Sequence, residues 1–151
     1  MTIDRRHIGY RTQPTTVAVD RWRVKLFCQA IDDTDPVYWD SASAQAAGYQ
    51  DCPLPPTYLK TVEGEHVSSA ALLKLLEVSV RSVLHAEQVF EYLAPVHAGD
   101  AVTVYREIVD IHDKKDGALS FIVVDTHYQV STQAVARSRQ TILVRNLLKE
   151  A

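Results

Sequence analysis

The chain has 151 residues, 46% of them apolar and 23% charged, which is enough for one domain with one substantial core. A net charge of -3, with no Lys/Arg stripe interleaved with aromatics, argues against nucleic acid, and no apolar run approaches the roughly 20 residues of a membrane span. The polar segment from Met1 to Arg11 lacks the apolar stretch of a secretory signal, and Cys28 and Cys52 are too few for a disulfide framework, so a reduced cytoplasm is the expected compartment.

Val17-Ala18-Val19 reads as a short strand. Asp20 stands where it can cap a helix over Arg21 to Ile31, with an expected buried stripe of Trp22, Leu26, Phe27, Ala30 and Ile31 and with Cys28 as a small buried hydrophobe. A proline-stiffened turn follows, Asp33-Thr34-Asp35-Pro36-Val37-Tyr38, which holds two carboxylates and a phenol close together. Acid-base chemistry near neutral pH usually recruits an imidazole, yet the ring ending this turn is a phenol of ordinary pKa about 10. A second short helix, Ala42 to Ala47, stops at Gly48, a residue suited to a left-handed C-cap. Prolines then force an extended or turning path from Tyr49 to Pro56.

A longer apolar helix is expected to reach about Val80, with Ala70, Ala71, Leu72, Leu75, Leu76 and Val80 on an apolar face wide enough for a core helix. Gly64 can split it, leaving a second part capped by Ser68 or Ser69. The period then changes. Leu84, Ala86, Phe90, Tyr92 and Ala94 alternate with polar neighbours, Pro95 to Asp100 supplies a turn, and three strands follow over Val102 to Ile111, Leu119 to Val130 and Ala134 to Val144. Lys114-Lys115-Asp116-Gly117 contains the Asp-Gly pair favoured in hairpins. The sum is an α+β arrangement in one domain over residues 1–151, a curved antiparallel sheet wrapped around a central helix, without alternating βαβ units.

The whole chain resembles the MaoC-like dehydratases and hydratases of the hot-dog fold. The resemblance is strongest to the branch related to the fungal fatty-acid-synthase dehydratase and to the non-catalytic subunits of mycobacterial (3R)-hydroxyacyl-carrier-protein dehydratases. It is carried by Ala30 to Tyr38, by Leu54-Pro55-Pro56-Thr57-Tyr58, by Leu84 to Tyr92 and by the turn at Pro95 to Asp100. Catalytic members read Asp-x-Asn-Pro-x-His in the first loop, and the resemblance implies that this Asp and His move the proton and the water. Position by position, Asp33 matches the aspartate, Asp35 stands where asparagine is usual, and Tyr38 replaces the histidine. Ionising such a phenol at pH 7 costs roughly 4 kcal/mol, so Tyr38 can donate a proton but is a poor base. Catalytic relatives also open the core helix with His-Gly, where a backbone amide is thought to hold the thioester oxygen. Pro56 has no such hydrogen, leaving Thr57 or Tyr58 to offer one.

The resemblance therefore implies an (R)-specific 3-hydroxyacyl-thioester dehydratase or enoyl-thioester hydratase, with this chain as its accessory, substrate-binding subunit. The catalytic positions are Asp33 and Tyr38, and the substrate-binding positions are Asp35, Pro56, Thr57, Tyr58 and His85. The implied partners are an acyl thioester of coenzyme A or of an acyl carrier protein, as in fatty acid metabolism, and a second hot-dog subunit in a homodimer or heterodimer. Two alternatives stand beside it: a self-sufficient homodimer using Asp33 and Tyr38, and a hot-dog thioesterase working through Glu63 or Glu65 near His66. The structural readings are turn and N-cap carboxylates for Asp33 and Asp35, a packed ring for Tyr38, and an interface role for His85. No cofactor or metal is expected, since no His/Cys/Asp cluster has ligand spacing and no Gly-rich phosphate loop occurs.

Overall fold

The computed structural model describes residues 2–66 and 69–146, the side chain of His66 excepted. The expected helix cap at Ser68 lies outside the described residues. Five antiparallel strands form one sheet in the order β1-β3-β4-β5-β2, from β1 (Thr15–Ala18), β2 (Val83–Tyr92), β3 (Ala101–Lys114), β4 (Leu119–Val130) and β5 (Gln133–Arg145). Along β4, Ser120, Ile122, Val124, Thr126 and Tyr128 turn inward, while Asp125 is buried between Val124 and Thr126. The β3–β4 connection runs through Lys115, Asp116 and Gly117 at φ 54, 51 and 83°, so the Asp-Gly pair sits in a longer left-handed turn rather than a two-residue hairpin.

Among the described residues four helices accompany the sheet: α1 (Arg21–Ala30), α2 (Ser41–Ala46), α3 (Tyr58–His66) and α4 (Ser69–Leu75). Tyr58, Leu59 and Val62 of α3 pack with Val17, Val102, Val104, Tyr128, Val135 and Ala136, while Leu72 and Leu76, on α4 and just beyond it, pack with Ile108, Ile111, Ile122, Val124, Ile142 and Val144. Each helix covers one half of the same sheet face. Between the two apolar halves runs a polar band, since Arg106, Thr126 and Ser138 stand in register across β3, β4 and β5. A register shift between Ile108 and Asp110 lets both Ile108 and Ile111 reach the core.

Several expectations are corrected. Gly64 does not divide the helix but lies inside α3, and the helical path ends at Leu75, where Glu77 takes φ 54° and Val78 N–H bonds back to the Leu73 carbonyl. Val80 falls in a short 3-10 turn and is exposed. On α1 the buried residues are Val24 and Cys28, with Phe27 half-buried, whereas Trp22 is 66% and Leu26 57% exposed and Ile31 also faces out. Three turns of helix offer only a narrow stripe to the core, and the i, i+4 pair Val24/Cys28 takes it. Asp20 occupies the N-cap position but makes no side-chain capping bond; its carbonyl accepts from Arg23 and Val24 instead. Gly48 takes φ 91° after α2, as the C-cap reading requires.

The strand β2 is an edge, paired on one side only by β5, and a register shift between His85 and Glu87 breaks its alternation. Of the alternating set, Phe90 and Ala94 pack on the core while Leu84, Ala86 and Tyr92 are exposed, as is Val89. No helix among the described residues is long and apolar enough to cross a membrane.

Candidate active site

The acidic turn is built by its own carboxylates. Asp33 Oδ1 accepts from the Asp35 amide and Asp35 Oδ1 from the Val37 amide, each at 3.0 Å, and the Asp33 amide donates to the Cys28 carbonyl at the end of α1. Pro36 then starts the short 3-10 turn Pro36–Tyr38. Both carboxylates thus serve as local caps, each with one oxygen committed. Tyr38 packs against the core cluster containing Cys28 and Tyr58. Burial first, and then the charges of Asp33 and Asp35, push its phenol above the ordinary value. The turn accordingly holds Tyr38 protonated: it can give a proton and cannot take one near neutral pH.

The start of α3 lies across a cavity of about 380 Å³ lined by Tyr49, Leu54, Pro56, Leu59, Tyr92 and Leu93 among others. Tyr49 supplies a second phenol to the lining of this cavity. Pro55 and Pro56 have no amide hydrogens. Tyr58 N–H donates to the Pro55 and Pro56 carbonyls at 3.1 and 2.9 Å, and Thr57 N–H donates to the Tyr92 hydroxyl at 3.2 Å. Thr57 carries φ 69°, an uncommon and costly conformation for a β-branched residue. Tyr58 itself is buried, edge-to-face on Phe27 at 5.2 Å, so its ring belongs to the core. His85 stands apart: it lines a separate cavity of about 70 Å³ with Leu72, Leu73 and Gln140, donates from Nε2 to the Glu87 carbonyl at 3.1 Å, and faces Gln140 through Nδ1.

The carboxylates of α3 have other work. Glu63 is 2% exposed and accepts from Lys60 Nζ at 2.7 Å, Thr126 Oγ1 at 3.1 Å and Tyr128 hydroxyl at 3.2 Å, with Arg106 Nε at 3.6 Å. Gln140 Oε1 accepts from Arg106 and Lys60 at 3.0 and 3.3 Å. Burial and the Glu63 charge drive the Tyr128 phenol far upward. Glu65 pairs with Arg23. A side chain lying outside the described residues, His66, completes the set proposed for thioester hydrolysis. Tyr49, Tyr92, Lys60 and Arg106 were not marked by the sequence as site or network residues. Their partners lie 35 to 80 positions away for the contacts of Tyr92 and of Lys60 with Gln140, a separation no local pattern encodes.

With this geometry in hand, comparisons with known proteins are specific. A family model described as FAS1-like, dehydratase domain region, matches residues 6–138. A UPF0336 protein of Streptomyces griseus is 31% identical over 153 aligned positions covering 100% of both chains. Among solved structures, the C-terminally truncated HadBC (3R-hydroxyacyl-ACP dehydratase) complex of Mycobacterium tuberculosis aligns with TM-score 0.80 at 19% identity, over 95% of this chain and 99% of that one. A MaoC-like dehydratase aligns with TM-score 0.81 at 23% identity, over 93% of this chain and 43% of that one. The chain belongs to the FAS1-like dehydratase-region family and has the hot-dog fold of the MaoC-like dehydratases.

Proposed function

We propose that this chain is the accessory, substrate-binding subunit of an (R)-specific 3-hydroxyacyl-thioester dehydratase or enoyl-thioester hydratase, its catalytic Asp and His residing on a second hot-dog chain. The observation that carries the reading is the state of Tyr38: a phenol kept protonated by burial and by two neighbouring carboxylates stands where the family uses an imidazole base. The start of α3 supports it, because two prolines remove amide donors there and the Thr57 and Tyr58 amides are engaged within the chain. The apolar cavity suits an acyl chain on coenzyme A or a carrier protein. The strand β2 supports a partner, since a ten-residue edge with Leu84, Val89 and Tyr92 exposed invites pairing across the edge. We place that assembly in the cytoplasm.

One observation favours a second reading. A protonated Tyr38 beside Asp33 is also an acid next to a base, the pair a self-sufficient homodimer would use. Co-expression with a hot-dog chain carrying an intact Asp-x-Asn-Pro-x-His loop separates the two. Hydration of crotonyl-CoA by the pair, abolished by changing the partner's His and unaffected by Tyr38→Phe, supports the accessory role. Dependence on Tyr38 supports the homodimer.

A further inference from the structure

We propose, resting on the reading above, that the Tyr92 hydroxyl takes the place of a backbone amide as hydrogen-bond donor to the carbonyl oxygen of a thioester bound in the cavity at the start of α3. Thr57 N–H donates to the phenol oxygen at 3.2 Å, which uses the oxygen as acceptor and leaves its own hydrogen to give. Among the described residues that hydrogen has no acceptor, while Tyr92 lines the cavity. Four nearby amide positions do not compete with it: Pro55 and Pro56 have no hydrogen, Tyr58 N–H is held by the proline carbonyls, and Thr57 N–H is held by Tyr92 itself. Accepting one bond polarises a hydroxyl and strengthens the bond it donates, so the Thr57 amide acts through the phenol.

The surroundings fit the role. Phe90 stacks on the Tyr92 ring with centroids 5.9 Å apart and planes within 9°, which supports one face of the ring. Tyr92 is 52% exposed, and the part of its ring that is covered pushes the phenol above its ordinary value, so it keeps its proton at neutral pH. Leu54, Pro56, Leu59 and Leu93 make most of the remaining wall apolar, and Tyr49 supplies its other phenol. Thr57, at the strained φ of 69°, gives its amide hydrogen to the Tyr92 hydroxyl oxygen.

The test uses the full chain with any partner that co-purifies, and crotonyl-pantetheine labelled with carbon-13 at its carbonyl, the portion common to coenzyme A and carrier-protein thioesters. Bound to the native chain, the carbonyl resonance is expected to move downfield, as donation to oxygen requires. In Tyr92→Phe it is expected to return towards the free position, with affinity reduced about two- to tenfold, the range for one neutral hydrogen bond. Replacing Tyr92 by 3-fluorotyrosine, a stronger donor of the same shape, is expected to move it further downfield and serves if Tyr92→Phe does not fold. An equal or larger downfield shift in Tyr92→Phe, or no response to fluorination, overturns the proposal and leaves the accessory reading standing. Failure of the native chain to bind the probe overturns both.

Discussion

Replacing Glu63 by glutamine distinguishes a structural carboxylate from a working one. Glu63 is the acid shared by Lys60 at 2.7 Å and Arg106 at 3.6 Å. At an effective dielectric of about 20, a charge pair 3.6 Å apart is worth about 5 kcal/mol before desolvation. Removing one partner of a buried pair costs about 3–5 kcal/mol, because the other charge remains uncompensated. Arg106 is 1% exposed and cannot turn to water, and among the described residues its Nε and Nη1 have no hydrogen-bond partner. Lys60 keeps 35% of its side chain exposed and can relax outward, which places the expected loss at the low end, about 3 kcal/mol. For a domain of this size that is a fall in Tm of about 6–12 °C, measured by thermal unfolding followed by circular dichroism. A loss under about 1 kcal/mol, accompanied by the disappearance of a thioester-cleaving activity, would refute the reasoning and make Glu63 a catalytic group.

Two further outcomes are expected. Tyr38→His places an imidazole of ordinary pKa about 6.5 beside Asp33 and should give the lone chain hydration of crotonyl-CoA measurable above buffer, where the native chain has none; a rate still at the buffer level would mean that the missing base is not what silences this site. The hydrogen bond from Arg139 and its charge hold the Asp125 carboxyl below its usual range. A depressed folded pKa gives stability that is complete above about pH 4 and fades as pH falls through that lower value. Asp125→Asn should therefore lower the urea midpoint at pH 7 and flatten its decline between about pH 5 and pH 3, and an unaltered acid limb would contradict the assignment.

What the sequence made legible follows from where its signals are local. The strand Leu119–Val130 is a β-branched and aromatic-rich run set off by the Asp116-Gly117 turn, and Asp40-Ser41 with Gly48 brackets α2 by cap chemistry, so both elements could be read directly. The acidic turn was equally local, since Asp33 and Asp35 bind amides only two positions ahead. Helix α1 misled because counting its largest apolar residues selects Trp22 and Leu26, while the packed contact is made by the smaller Val24 and Cys28. The polar band escaped for a different reason: Arg106, Thr126 and Ser138 read as surface residues until register aligns them across three strands and α3 brings Glu63 onto Arg106 and Thr126. The Thr57–Tyr92 contact likewise depends on the edge strand returning to the helix start, which no spacing rule contains.

The most direct measurement is the hydration of crotonyl-CoA by the purified chain with no other hot-dog protein present. The expected result is no rate above buffer, with activity restored when a partner bearing the Asp-x-Asn-Pro-x-His loop is added. A steady rate from the lone chain that disappears in both Asp33→Asn and Tyr38→Phe would contradict it.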